Sequence, residues 1–410
     1  MNRKRKILVS AYACEPLKGS EPAVGWNWVL QMAKRNEVYV ITRANNQQVI
    51  EENLPKEVAS NITFYYYDTP SFIKKLKNKD KGLYLYNFVW NIGLLPLAKR
   101  IIKEHQVDYT MHLTFGSIWM PTFLSLLKVS FIWGPIGGGE CIPKLFIKAM
   151  PFRQRLVQAM RYVLNATTMF NPFIFLSSCK AVAILARTSN TADAIPFCFR
   201  SKVRLILETA MEDDIFAYKK QRTDTDIIQM VISARLIAIK NIPTVIKSLK
   251  YIPQNKKYHL TIIGTGPEKN TIENEIKRNN CGDRVTIIPF MPRQEALKEL
   301  EKADIFIFPS LKEGGSWALM EAMAMGLPVI CLNWAGMAIS TNDNSAIRLP
   351  VTNPKQMPKD MATAICELID NPKLRETIGN AAREQIKANF NWETKGIFML
   401  HLFDELEYKK

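Results

Sequence analysis

Short runs of isoleucine, valine, leucine and aromatic residues recur along the chain, each closed by a glycine, a proline or a polar residue. Helix-spaced apolar positions lie between them. Such runs predict buried strands, and strands alternating with helical stretches predict parallel sheets joined by crossover connections. The first strand falls at residues 6–14, followed by the loop GSEPAVGW, a helix over 26–34 and a strand over 37–42. Further strands are predicted at 62–67, 109–113, 130–133 and 181–186. A second series opens at 227–233 and continues through HLTIIG (259–264), RVTIIP (284–289), ADIFIFP (303–309) and PVICL (328–332). The reading is α/β, with two Rossmann-like domains in tandem over 1–205 and 206–390. Helix-spaced aromatic and apolar residues after Phe390 predict a last helix, 391–410, that packs back on the first domain.

One stretch carries unusual chemistry. After the strand at 303–309 comes KEGGSWALMEAMAMGLPVI, in which Glu313 and Glu321 flank the start of a helix over 316–325 that Gly326 and Pro328 close. A crossover of this kind leaves its loop at the carboxyl end of a parallel sheet, where such sheets bind ligands. Gly314 and Gly315 allow close backbone approach, and the helix start offers N–H groups to an anionic or hydroxyl-rich ligand. Taken alone, Glu313 reads equally as a first-turn glutamate favoured by the helix dipole, and Glu321 as a solvated helix position.

Other strand ends add candidates. SARLIAIKN puts Arg235 and Lys240 just after the strand at 227–233, where a planar fork and a point charge suit a diphosphate. GTGPEK has Gly264 and Gly266 but Lys269 where a dinucleotide fingerprint needs its third glycine, so it reads as a tight turn and not a nicotinamide site. GPIGGGE brings Gly137, Gly138 and Gly139 to the end of the strand at 130–133, and His112 ends the strand at 109–113. Asp224 and Asp226 precede their strand and read as a solvated linker; no metal site is expected.

Charge is uneven. Of the net +17, +14 belongs to residues 1–200. Between Cys141 and Ala192 there are seven bases and no acid, and Lys144, Lys148, Arg153, Arg155 and Arg161 alternate with apolar residues such as Leu145, Phe146, Leu156, Met160 and Val163. That pattern suits a helix lying on an anionic membrane face, or an amphipathic helix packed on its domain with a solvated basic side. No nucleic-acid motif accompanies the basic field, and nucleic acid is not an expected partner. No segment reaches the roughly 18 continuous apolar residues of a membrane span. MNRKRKILVSAYAC starts like a signal peptide, but its apolar part is short and contains Ser10 and Tyr12, so a first strand is expected. Seven scattered cysteines, never two residues apart, predict a reduced, cytoplasmic chain without a zinc site.

Taken together, these residues resemble glycosyltransferase family 4, the large retaining GT-B group also called group 1, in its bacterial surface-polysaccharide type. The carrying stretches are SARLIAIKN, GTGPEKN, ADIFIFPSLKEGGSWALMEAMAMGLPVI, AYACEPLKGSEPAVGWNWVLQMAKRNEVYVIT, MHLTFGS and GPIGGGE. The resemblance covers nearly the whole chain and implies a GT-B architecture, two Rossmann-like domains facing each other across a cleft. It implies a nucleotide-sugar donor, UDP- or GDP-linked, on the C-terminal domain and a glycan or lipid-linked acceptor on the basic N-terminal one. Position by position, Glu313 would bind donor hexose hydroxyls, Glu321 the ribose hydroxyls, and Arg235 with Lys240 the diphosphate. Gly19 and Ser20 would approach the donor from the other domain. Gly264, Gly266, Gly314, Gly315, Ser316 and Trp317 complete the donor side, while Gly137, Gly138 and Gly139 lie on the acceptor side. His112 would stand near the reacting sugar, forming with Arg235, Lys240 and Glu313 the implied catalytic set. Many members carry Gly-Phe-Gly after the first glutamate, where this chain reads Gly314-Gly315-Ser316-Trp317.

The implied reaction is retaining transfer of a hexose to an acceptor hydroxyl, without cofactor or metal, at the inner face of the cell membrane. Two other readings share the architecture: a nucleotide-sugar epimerase, which needs no acceptor, and a catalytically silent, membrane-associated sugar-binding scaffold.

Overall fold

The computed structural model describes residues 3–70, 73, 82–218 and 226–408. Asp224 lies outside them. Two all-parallel sheets organise the chain. The first holds β1 (Lys6–Ser10), β2 (Glu37–Thr42), β3 (Ile62–Tyr66), β4 (Tyr109–His112), β5 (Ser130–Ile136), β6 (Ala181–Ala186) and β7 (Val203–Leu205), in the order β3-β2-β1-β4-β5-β6-β7. The second holds β8 (Ile228–Ser233), β9 (Tyr258–Ile263), β10 (Val285–Ile288), β11 (Ile305–Phe308), β12 (Val329–Leu332) and β13 (Ile347–Leu349), in the order β10-β9-β8-β11-β12-β13. Strands covered by helices on both faces have no solvent side, and their sequences are accordingly near-continuous in apolar residues; β11, Ile-Phe-Ile-Phe, is buried at every position.

Each sheet reverses its strand order once, at β1/β4 and at β8/β11, with registers Ser10↔His112 and Phe306↔Val231. Loops leaving the carboxyl ends of strands at such a reversal diverge to opposite sides and open a crevice. The loops after β8 and β11 carry Arg235, Lys240 and Glu313, and the loops after β1 and β4 carry Gly19, Ser20 and the residues following His112.

Packing divides the chain into two units: residues 1–139, 164–208 and 392–410 form unit 1, and residues 140–163 with 209–391 form unit 2. The helix Trp392–Tyr408 therefore belongs to unit 1, where Arg5 meets Asp404 and Glu407, Arg204 meets Glu405, and Phe403 lies against Tyr109. Residues 140–163 depart from the sequence reading, which assigns them to the first domain. They pack in unit 2, where Trp334 donates its indole N–H to the Cys141 carbonyl over 2.9 Å, and Glu140 and Arg161 lie near Lys312.

Several boundaries also differ. The first helix runs Ser20–Ala33 and so begins inside the stretch read as a loop. Pro22 fits a first helical turn, and a side chain at Gly25 would meet the Ala13 carbonyl oxygen at 1.9 Å, so that glycine lets the helix touch the chain after β1. Strand β5 continues through Gly134 and Pro135 to Ile136. The edge strands β7 and β13, three residues each, are too short to show a pattern.

Candidate functional site

In unit 2 the reversal between β8 and β11 brings Lys240 and Glu313 together, although 73 residues separate them. The Lys240 ammonium donates to Glu313 Oε1, and Ser310 Oγ donates to the same oxygen over 2.6 Å. Lys240 also lies 5.2 Å from the Phe308 ring centre. Both side chains of the pair are largely buried. The Glu313 loop is fixed by backbone contacts: Gly336 N–H donates to the Glu313 carbonyl, and Thr209 Oγ1 donates to the Gly315 carbonyl over 3.3 Å. Ser316 caps the helix Trp317–Ala324, accepting from Leu319 N–H. Trp317 opens that helix, half-buried like Gly314, Gly315 and Ser316.

Four residues beyond Trp317, Glu321 is 9% exposed, so it is not a solvated helix position. Its Oε1 accepts from Arg293 Nε over 2.5 Å. Burial pushes its carboxyl above the usual glutamate range; Arg293 opposes this, while Asp214 and Glu212 add to it. Next to Glu313, burial draws Lys312 down to about 8, with Arg161 acting in the same direction and Glu140 and Glu313 against.

Arg235 is exposed, and the turn after β9 supports its loop. A side chain at Gly264 would meet the Ala234 carbonyl oxygen at 1.9 Å, and one at Gly266 the Leu236 carbonyl oxygen at 2.3 Å. Leu236 N–H donates to the Thr265 carbonyl, and Glu268 N–H to that of Leu236. These glycines let two loops lie backbone against backbone.

In unit 1 three motif loops meet at the ends of neighbouring strands. Glu21, adjoining Gly19 and Ser20, accepts from Phe115 N–H over 2.5 Å, tying the first loop to the one after β4. Gly137 N–H donates to the Gly116 carbonyl over 2.6 Å, tying that loop to the one after β5. A side chain at Gly137 would meet the Arg187 guanidinium at 2.1 Å, and one at Gly139 the Thr191 backbone at 2.5 Å. Gly138 has φ +99°, and its carbonyl accepts from the Trp119 indole over 3.1 Å. Arg187 in turn pairs with Glu208 at 2.9 Å. Gly19 and Ser20 are exposed. His112 is buried, and burial lowers its pKa to about 4 against a backbone hydrogen bond at Phe115 that acts the other way.

Solved structures share this fold over nearly the whole chain. Sucrose-phosphate synthase from Thermosynechococcus elongatus matches with a TM-score of 0.62 at 17% identity, covering 100% of both chains. Anabaena Alr3699/HepE in complex with UDP and glucose matches with a TM-score of 0.60 at 14% identity, covering 98% of this chain and 100% of that one. The fold is GT-B.

Within this GT-B chain, residues 213–385 match the family model for glycosyl transferases group 1. The amylovoran biosynthesis glycosyltransferase AmsK of Erwinia amylovora is 30% identical over 165 residues, 38% of this chain and 40% of that protein. The putative colanic acid biosynthesis glycosyltransferase WcaL of Salmonella typhimurium is 28% identical over 173 residues, 40% of this chain and 42% of that one. The matched stretch thus spans about two-fifths of the length of these curated relatives.

Sequence reasoning missed three residues of the GT-B loops. Arg293 opens the helix Arg293–Glu301 after β10, and a base at a helix start beyond a strand end was the available signal. Ser310 directly follows β11 and Pro309. Glu21 stands in the first turn of the helix Ser20–Ala33, within the stretch that reads as a loop in the sequence. Among the described residues no group of three or more His, Cys, Asp or Glu side chains could hold a metal ion.

Proposed function

We propose that the protein is a retaining glycosyltransferase of group 1 that moves a hexose-type sugar from a nucleoside-diphosphate sugar to a hydroxyl of a glycan or lipid-linked acceptor in surface-polysaccharide assembly. The observation that carries this is the pairing of Lys240 with Glu313 and of Arg293 with Glu321 within the stretch that matches the group 1 model. The relatives named for amylovoran and colanic acid synthesis support the polysaccharide context.

In this mechanism the anomeric carbon–diphosphate bond breaks as a new carbon–oxygen bond forms on the same face through an oxocarbenium-like state. The acceptor proton passes to the departing phosphate. Lysine has three N–H donors, and Glu313 engages one, so Lys240 can hold the leaving diphosphate together with Arg235 while charge grows there. Both bonds to Glu313 fall on Oε1, which leaves Oε2 to accept from a sugar hydroxyl. Arg293 holds Glu321 by Oε1 and leaves Oε2 for the ribose. The approach of Gly19, Ser20 and the Gly314–Trp317 loop to the donor, the acceptor role of Gly137–Gly139 and the positioning role of His112 belong to the same proposal.

The test is turnover of UDP-, GDP- and ADP-sugars with a lipid-linked acceptor, read as nucleoside diphosphate release and product anomer, by the wild type and Glu321→Ala. Acceptor-dependent release, unaffected by EDTA and lost with a raised donor KM in the variant, is expected. An unchanged donor KM would refute the ribose role, and a new nucleotide-sugar formed without acceptor would mean an epimerase.

A further inference from the structure

The helix Phe152–Ala166 is built inside out. Four of its polar residues, Gln154, Gln158, Arg161 and Asn165, recur at spacings of four, three and four and form one stripe that faces the protein, while Arg153 and Arg155 near its start are exposed. Gln158 is 6% exposed, Asn165 donates to the Gly139 carbonyl over 2.7 Å, and the neighbouring Tyr162 donates to that of Ile142 over 2.6 Å. The opposite face is apolar and solvent-exposed: Phe152 at 69%, Leu156 at 56%, Met160 at 57% and Val163 at 62%. Ordinary surface helices have the reverse polarity. Half of the exposed large apolar side chains among the described residues lie between Leu145 and Leu176. Single exposed leucines mean little, but an apolar row of this density marks a surface that something covers.

The charge around it selects the occupant. Lys148 and Arg153 are exposed beside the row, and no acid occurs between Cys141 and Ala192. A protein partner would meet an apolar row with a one-signed rim. A bilayer offers a hydrocarbon boundary for the row and anionic headgroups for the bases, whose stems reach past the apolar surface. At roughly 1.5 Å per residue the helix presents about 22 Å of such a face, suited to lying in the interface and not to spanning it. Phe146 and Met150, apolar members of the sequence pattern, are buried and anchor the preceding turn, so the docking face starts at Phe152.

We infer that Phe152–Ala166 seats the protein on an anionic phospholipid surface, with its apolar face sunk at the headgroup boundary and Lys148 and Arg153 among the headgroups. Binding of this kind needs no nucleotide-sugar, so it can fail or succeed apart from the transferase reading.

The test is cosedimentation of the full chain with phosphatidylcholine vesicles, with and without phosphatidylglycerol, at physiological salt. Wild type is expected to bind the anionic vesicles about tenfold more than the neutral ones. The triple variant Leu156→Gln/Met160→Gln/Val163→Gln should lose at least about tenfold of that binding while keeping its circular dichroism and Tm, since those side chains face water. Lys148→Ser/Arg153→Ser should remove the preference for anionic lipid. Wild type left in the supernatant, equal binding to both vesicles, or a triple variant that binds like wild type would each overturn the inference. So would a lipid-free dimer, seen by sedimentation velocity, that the triple variant abolishes while wild type ignores vesicles.

Discussion

Arg293 Nε donates to Glu321 Oε1 over 2.5 Å, joining the start of one helix to the middle of another, 28 residues on. The bond holds a carboxylate that burial would otherwise protonate more readily, because a desolvated charge is stabilised only by its partners. Glu321 has a folded-state pKa above that of an unfolded glutamate, so the native state holds its proton longer. Stability from this group is therefore greatest at acid pH and falls as pH rises through the window between the two values. Arg293→Gln should raise the folded value further and widen the window. Isothermal titration of the donor across pH should show the acid limb of binding moving upward in this variant. The loss of stability should be about 1 kcal/mol, since Arg293 is itself partly exposed.

Lys240 and Glu313 should behave as a unit. If the lysine acts mainly on the leaving group, Lys240→Met lowers kcat by about 100-fold with a smaller change in donor KM. The double variant with Glu313→Gln should then cost less than the two single losses combined, because each single change already breaks the pair. A double-mutant cycle on kcat/KM measures this coupling.

His112 makes a pH prediction that needs no substrate. Its folded pKa is about 4 and its ordinary value is 6.5, so the unfolded chain binds the extra proton between those values. Stability is fully present above the ordinary value and falls as pH drops through the window. Urea unfolding at pH 7 and pH 5 should differ by about 2 kcal/mol on account of this group. His112→Asn should remove most of that difference.

Two glycines with the same expected side of the chemistry should part company on substitution. Gly264→Ala drives a carbon into the Ala234 carbonyl and should cost more than about 2 kcal/mol. Gly19→Ala meets nothing within 4 Å and should change stability by less than about 0.5 kcal/mol. A fall in turnover for Gly19→Ala at unchanged Tm would therefore report approach of a ligand, as proposed.

The strands other than the short edges β7 and β13 are legible because each is a dense apolar run, and the sequence reading of β11 and its following helix agrees with the structure to within two residues. The local pattern puts Glu321 inside the helix Trp317–Ala324 and Glu313 in the loop before it. What a local pattern cannot carry is strand order: that β8 lies beside β11, and so brings Lys240 to Glu313, is decided by packing far along the chain. Arg293 was overlooked for the same reason, since it looks like any helix-start base until Glu321 is beside it. The residues 140–163 misled differently. Their sequence suits either a helix lying on an anionic membrane face or one packed on the first domain with a solvated basic side; the polar stripe in fact faces the protein, and the segment belongs to unit 2.

The helix Trp392–Tyr408 finishes unit 1 although it follows all of unit 2 in the chain. During translation, Arg5 and Tyr109 emerge before unit 2 is complete, and their partners Phe403, Asp404 and Glu407 emerge only after residue 391. Residues 209–391 intervene, an interval of roughly 10 to 40 s at common elongation rates. Throughout it the nascent first sheet has an uncovered flank, and unit 2, whose remaining segment 140–163 has already been made, can be complete before unit 1. Completion thus runs against synthesis: the unit begun first is the unit closed last.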